Sequence, residues 1–112
     1  MAKLLVVLIA LSCILLPQSH LVASLQCYSC SGVINYYSKC TDLRNVHSSV
    51  CGSDQVCATF VLRKPNVDVL QRKCAPSTIC SDLERKYQRN PVITVNECNV
   101  CNEDNCNSAP AL

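Results

Sequence analysis

Residues 98–107 read CNVCNEDNCN, and the interpretation of this stretch decides which kind of fold the chain adopts. Three cysteines lie close together here, and the first two form a C-x-x-C pair. Such a run fits half of a zinc site, a redox motif or the last bridges of a disulfide-built domain. The compartment in which the chain folds helps to separate these three alternatives.

The beginning of the chain has the layout of a secretory signal peptide. A short basic start precedes an apolar run over residues 4–16, and the small residues Val22 and Ser24 suit signal peptidase. The 13 residues of this run would form about 20 Å of helix, whereas the apolar core of a membrane is about 30 Å thick and needs roughly 20 residues. We therefore expect cleavage of residues 1–24, a mature chain that starts at Leu25, and a secreted, extracellular product.

Cysteine dominates the remaining chain. Of the eleven cysteines, Cys13 lies in the predicted signal peptide, so ten remain. An even number at this density in a short secreted chain is typical of a disulfide framework. The chain has one Phe and no Trp, so apolar residues alone give too small a core for stability. One domain is expected, although ten cysteines have on the order of a thousand possible pairings.

Two consecutive segments predict a β-hairpin. Residues 55–63 and 67–74 are rich in β-forming residues, and they flank residues 64–66, Lys-Pro-Asn, where proline presets a turn. Side chains alternate along a strand, so one face of the first segment would carry the apolar residues Val56, Ala58, Phe60 and Leu62.

The rest of the mature chain has weaker patterns. Residues 92–98 predict a third strand, and residues 81–90 fit either one or two helical turns or a long loop. Short strands with many cysteines between them indicate a small all-β, disulfide-rich domain.

Motifs that carry catalysis or metal binding are scarce. The pairs Cys27-x-x-Cys30 and Cys98-x-x-Cys101 are too far apart for a zinc ribbon or finger, and six other cysteines would stay unexplained. Neither pair opens a helical pattern, as a thioredoxin-like motif does. His47 could pair with Ser48 or Ser49, but no G-x-S-x-G elbow is present. We therefore expect a protein that is not an enzyme, with no cofactor and no metal ion.

Charged residues are nearly balanced. Ten Lys and Arg stand against eight Asp and Glu, and one of the cations, Lys3, falls in the predicted signal peptide. A nucleic-acid binder normally carries a larger basic excess, so no nucleic-acid partner is expected. The cations cluster at Arg63-Lys64, at Arg72-Lys73, and at Arg85-Lys86 with Arg89. These clusters are either solvated strand ends and turns or a contact surface for an acidic patch on a partner.

Both ends of the mature chain resemble one protein family. The start LQCYSC (25–30) and the end CNEDNCN (101–107), together with ten cysteines, are similar to the lymphocyte-antigen-6 and urokinase-receptor family, the relatives of snake three-finger toxins. The resemblance covers residues 25–107 and implies a three-finger fold with five disulfides, followed by a short tail over 108–112. The family commonly has adjacent cysteines where this chain has Cys98-Asn99-Val100-Cys101, a spacing similar to that of invertebrate members.

The resemblance also implies which cysteines pair. The implied bridges are Cys27–Cys57, Cys30–Cys40, Cys51–Cys74, Cys80–Cys98 and Cys101–Cys106. They would hold a palm from which three fingers extend, at residues 31–50, 58–73 and 81–97. The predicted hairpin falls on the second finger. Asn107 matches the terminal asparagine of the family, and its amide can tie the C-terminal segment to backbone groups of the palm.

A disulfide-bridged palm that displays loops implies a binding protein. We expect a secreted, non-catalytic ligand that binds and modulates a cell-surface receptor, ion channel or adhesion protein. The expected contact residues lie on the three fingers and are Arg63, Lys64, Asn66, Arg85, Lys86, Arg89, Tyr36 and Tyr37. The two tyrosines either anchor an interface or pack on the palm.

Two other functions stay open. The chain could be an extracellular structural organiser of cell junctions or matrix, and a small secreted enzyme is a minor alternative. No apolar tail follows Asn107, so a lipid anchor is not expected and the product would be released.

Overall fold

The computed structural model describes residues 24–35 and 38–108. Residues 1–23 of the predicted signal peptide, both tyrosines at 36 and 37, and residues 109–112 of the tail lie outside this range, so the expectations about them stay predictions. The described elements are β1 (Gln26–Tyr28), β2 (Cys30–Val33), α1 (Lys39–Asp42), β3 (Ser48–Val50), β4 (Gln55–Arg63), β5 (Asp68–Pro76), α2 (Ile79–Tyr87) and β6 (Thr94–Cys101). The predicted small all-β, disulfide-rich class is confirmed.

The strands form two antiparallel sheets. Strand β1 pairs with β3 in a two-stranded sheet, and a four-stranded sheet has the order β2-β5-β4-β6. The central strand β4 therefore has β5 on one side and β6 on the other. Among the described residues, neither helix is long and apolar enough to cross a membrane.

The predicted hairpin is present as β4 and β5. Pairing runs without interruption from Gln55 opposite Pro76 to Arg63 opposite Asp68. The Lys64 N–H donates to the Val67 carbonyl at 2.9 Å and closes the turn. Strand β5 extends two residues beyond the predicted end because its last two residues keep pairing with the start of β4.

Strand β6 is shifted from its predicted bounds of 92–98. The Asn90 Oδ1 accepts hydrogen bonds from the N–H groups of Val92 and Ile93, both at 2.9 Å, and this local turn delays the start of the strand. A register shift opposite Thr59 and Val61 inserts one extra residue into β6, and Glu97 has a φ of 50° at that point. Such a bulge bends the strand and redirects its side chains.

Helix α2 occupies the segment for which either helical turns or a loop was predicted. Ile79, Leu83 and Tyr87 recur at a spacing of four residues and pack against the sheet, with Leu83 buried. At the N-terminal end the Thr78 hydroxyl donates to the Asp82 carboxylate at 2.8 Å. A helix this short depends on packing for its stability, so the sequence alone left its state open.

Strand β4 is covered on both faces. One face carries Ala58, Phe60 and Leu62, three of the four residues that the alternation predicted, and α2 packs on it. Val56, the fourth, is half-buried and does not belong to this cluster. The opposite face of β4 is also buried, since Cys57 and Val61 on that face each belong to a further buried cluster that contains cysteines. The central strand therefore has almost no solvent-exposed side, which the alternating pattern did not show.

Gly32 permits a close approach between β2 and the start of α1. A Cβ atom at Gly32 would lie 2.7 Å from the Ser38 Cβ, which is closer than such atoms approach. Ser38 is the N-cap of α1, and its Oγ accepts from the Thr41 N–H at 3.3 Å.

We expect Gly32→Ala to lower the free energy of unfolding by about 1–3 kcal/mol, because Ser38 must move. Gly52→Ala is the matched control, since its nearest neighbour is the flexible Gln55 side chain at 3.3 Å. That variant should change stability by less than about 0.5 kcal/mol. Urea unfolding of the oxidised proteins measures both, and equal losses would contradict the steric explanation.

Candidate interaction surface

Five disulfides pair all ten cysteines of the described chain. The bridges are Cys27–Cys57, Cys30–Cys40, Cys51–Cys74, Cys80–Cys98 and Cys101–Cys106, the same five pairs that the family resemblance implies. Both C-x-x-C pairs are divided between two bridges. A disulfide sulfur is not a thiolate, and the thiolate is the form that ligates metals and performs exchange chemistry.

Three of the bridges form one sulfur cluster, here called the base cluster. It comprises Cys27–Cys57, Cys51–Cys74 and Cys101–Cys106, and the Sγ atoms of Cys27 and Cys51 lie 3.1 Å apart. Leu25, the predicted first residue of the mature chain, packs against this cluster. The base cluster holds β1, β3 and the beginning of β4 together, so the opposite end of the sheet is left for other contacts.

Asn107 joins the C-terminal segment to the sheets. It is 2 % exposed, its Oδ1 accepts from the Tyr28 N–H at 3.0 Å, and its Nδ2 donates to the Tyr28 carbonyl at 3.0 Å and to the Ala58 carbonyl at 3.2 Å. One amide side chain thus bonds to backbone groups of both sheets, using its donor and its acceptor together. The structure therefore places Asn107 where it joins the C-terminal segment to both sheets.

Arg72 corrects the interpretation of the basic pairs in the sequence. Its neighbour Lys73 is exposed, but Arg72 is 1 % exposed and is the largest fully buried side chain of the described residues. Its Nε donates to the Cys40 carbonyl at 3.0 Å, and a terminal nitrogen donates to the Asn107 carbonyl at 2.7 Å. Burial lowers the pKa of the guanidinium from its ordinary value, yet arginine stays charged in proteins.

A signal for this burial exists in the sequence. Arg72 alternates with Leu70 and Cys74 along β5, so all three lie on one face of the strand. Leu70 is fully buried on that face, and Cys74 packs against the base cluster. An arginine at such a position must use its donors on nearby carbonyl groups.

The other predicted basic residues meet at one end of the sheet. Arg63 and Lys64 belong to a concavity at the β4–β5 turn, and a second concavity contains Arg85, Lys86 and Arg89; both include Pro91. This arrangement follows from the pairing of Arg63 with Thr94, which places the α2–β6 loop beside the turn. We call this region the basic end and define it by Arg63, Lys64, Asn66, Arg85, Lys86, Arg89, Pro91 and Val92.

Most of the cations at the basic end form no salt bridge with a carboxylate of the described chain. Among the residues lining the two concavities, Asp68 is the one carboxylate, and it lies 3.5 Å from the Arg63 Nε. The Lys86 Nζ lies 5.3 Å from the centre of the Tyr87 ring, which favours a cation over its face. Arg85 and Lys86 fall in the last turn of α2, where the helix dipole favours positive charge.

Asn66 and His47, two further residues that the sequence singled out, are both exposed. Asn66 is exposed in the turn between β4 and β5, within the first concavity. His47 is exposed in the loop before β3.

A scan against protein-family models finds none that matches the chain, and searches of characterised proteins and of solved structures find no match either. Any conclusion about function therefore depends on the geometry of the basic end and on the framework that holds it.

Proposed function

We propose that the chain is a secreted, non-catalytic member of the lymphocyte-antigen-6 and urokinase-receptor family with a three-finger fold. In this proposal it binds and modulates a cell-surface receptor, ion channel or adhesion protein through its finger loops. The agreement between the five disulfide pairs and those of the family supports the assignment.

One observation carries the binding role. Two basic clusters that are separated by about twenty residues in sequence adjoin at the basic end, around Pro91. They are exposed and held by a turn and a helix end, whereas the base cluster is at the other end of β4. Charged groups on a rigid framework steer an oppositely charged partner and fix its orientation.

Charge reversal at the basic end tests this proposal. Labelled wild-type protein should bind saturably to the surface of cells from the tissue that produces or borders it, and unlabelled protein should compete. The double variant Lys64→Glu/Arg89→Glu should bind at least about tenfold more weakly and with a smaller dependence on salt. Flow cytometry across a range of salt concentrations measures both quantities.

The matched control reverses two exposed lysines outside the basic end, in Lys39→Glu/Lys73→Glu, with the same change in net charge. It should bind like the wild type. Equal weakening in both variants would mean that binding depends on net charge and not on the basic end. Unchanged binding by Lys64→Glu/Arg89→Glu would contradict the proposal.

A further inference from the structure

The basic end presents an apolar side chain among its cations. Val92 is 54 % exposed, and Pro91 and Pro65 beside it are exposed as well. Val92 shares the first concavity with Arg63 and Lys64. Three large hydrophobic side chains are exposed in the described chain, Val50, Val92 and Val100, and of these Val92 is the one at the basic end.

The turn that carries Val92 is fixed by hydrogen bonds. The Asn90 Oδ1 accepts from the backbone N–H groups of Val92 and Ile93, and the Asn90 N–H donates to the Tyr87 carbonyl at 3.0 Å. Pro91 restricts the backbone between them. The exposed valine therefore sits on a preorganised turn, which reduces the entropy lost when a partner covers it.

Cations line both of the concavities that meet at Pro91. Lys64, Arg85, Lys86 and Arg89 enter no salt bridge within the described chain, and Arg63 is partly offset by Asp68. The base carries the opposite charge, since Asp54, Glu103 and Asp104 are exposed in the turn before β4 and in the loop closed by Cys101–Cys106. An acidic partner is therefore attracted to one end and repelled from the other.

The combination selects one class of partner. Sulfated polysaccharides are bound mainly by cations, whereas anionic membranes take up an apolar face rich in Trp, Phe or Leu beside the cations. The basic end instead has one valine beside two prolines in a concavity, and protein interfaces place such apolar contacts at the centre and charges at the rim. Resting on the proposed function, we infer that the basic end binds an acidic protein segment with an apolar side chain that packs on Val92 and Pro91. Acidic side chains of that segment then pair with Lys64 and with the cations at the end of α2.

Selection from a random peptide library on the immobilised, oxidised protein tests this inference. We expect the enriched peptides to contain at least two acidic residues beside a large aliphatic or aromatic residue. Val92→Ser removes the apolar contact without changing charge and should weaken the binding of these peptides at least fivefold. Val50→Ser alters the more exposed valine at the base and should leave their affinity unchanged.

Heparin oligosaccharides and phosphatidylserine vesicles are tested on the same surface. Enriched peptides without acidic residues, or peptides insensitive to Val92→Ser, would overturn the inference. So would tight heparin or vesicle binding with no peptide enriched. The inference fails and the proposed function stands if cells bind the wild type but not Lys64→Glu/Arg89→Glu, while no peptide that combines acidic residues with a large apolar residue is selected. If cells do not bind the wild type saturably, the proposed function fails.

Discussion

Replacing Arg72 by methionine is expected to lower the free energy of unfolding by about 2–4 kcal/mol. The guanidinium bonds to the carbonyls of Cys40 and Asn107, and hydrogen bonds from a charged donor contribute about 1.5–3 kcal/mol each. The Cys40 carbonyl would lose this donor, while the Asn107 carbonyl would keep the Thr59 hydroxyl at 3.4 Å. Relief from the desolvation of a buried charge returns part of the loss, which limits the net effect.

Urea unfolding of the oxidised protein, followed by circular dichroism, measures this change. Lys73→Met is the control, because Lys73 is the exposed neighbour on the same strand. Its Nζ lies 5.8 Å from the centre of the Phe60 ring, so a loss of less than about 1 kcal/mol is expected. Equal stability of Arg72→Met and Lys73→Met would show that the two hydrogen bonds of Arg72 add nothing measurable to stability.

Asn107→Ala is expected to destabilise the protein by about 3–5 kcal/mol. The substitution removes three hydrogen bonds and leaves the Tyr28 N–H and the carbonyls of Tyr28 and Ala58 without this partner. A buried backbone group that loses its partner, such as the Ala58 carbonyl, costs about 1–3 kcal/mol, and the two partly buried groups of Tyr28 each cost less. Because a small domain has a total stability of roughly 5–15 kcal/mol, such a loss would leave a large fraction unfolded at elevated temperature.

Asn102→Ala provides the comparison for Asn107→Ala. Asn102 lies in the same C-terminal loop region but is exposed, so the same change of residue type should alter stability by less than about 0.5 kcal/mol. Thermal unfolding with the disulfides intact ranks the two variants. An Asn107→Ala protein that melts within a degree or two of Asn102→Ala would contradict the structural position of Asn107.

The sequence predicted local features well. The hairpin of β4 and β5 was predicted because β-forming segments flank a proline turn, and both signals are local. The bounds of β6 were wrong by a few residues because the Asn90 turn and the bulge at Glu97 depend on pairing with β4. Helix α2 stayed ambiguous because its stability comes from burying Leu83 against a sheet face that the sequence does not display.

The site required the tertiary structure. Arg72 and Lys73 are adjacent in sequence, yet Arg72 is buried and Lys73 is exposed, because successive residues of a strand face opposite sides of the sheet. The meeting of Arg63 and Lys64 with the cations at the end of α2 depends on the pairing of β4 with β6. Residue types alone identified these cations as candidates but could not bring them together.

The division of roles between the two ends of the sheet explains how so small a core supports a binding surface. The base cluster, Asn107 and Arg72 concentrate the stabilising contacts where β1 and the C-terminal segment meet β4. The basic end contains few buried groups, so substitutions there should alter binding with little effect on stability.

Photo-crosslinking from two exposed valines tests whether the basic end is the surface that a partner contacts. A photoreactive phenylalanine analogue replaces Val92 at the basic end in one protein and Val50 at the base in another, and each is illuminated on cells that bind the wild type. Mass spectrometry then identifies covalent adducts with cell-surface proteins. We predict a defined adduct from position 92 and none from position 50. An adduct from position 50 alone, equal adducts from both positions, or none from position 92 would contradict the claim that the basic end is the binding surface.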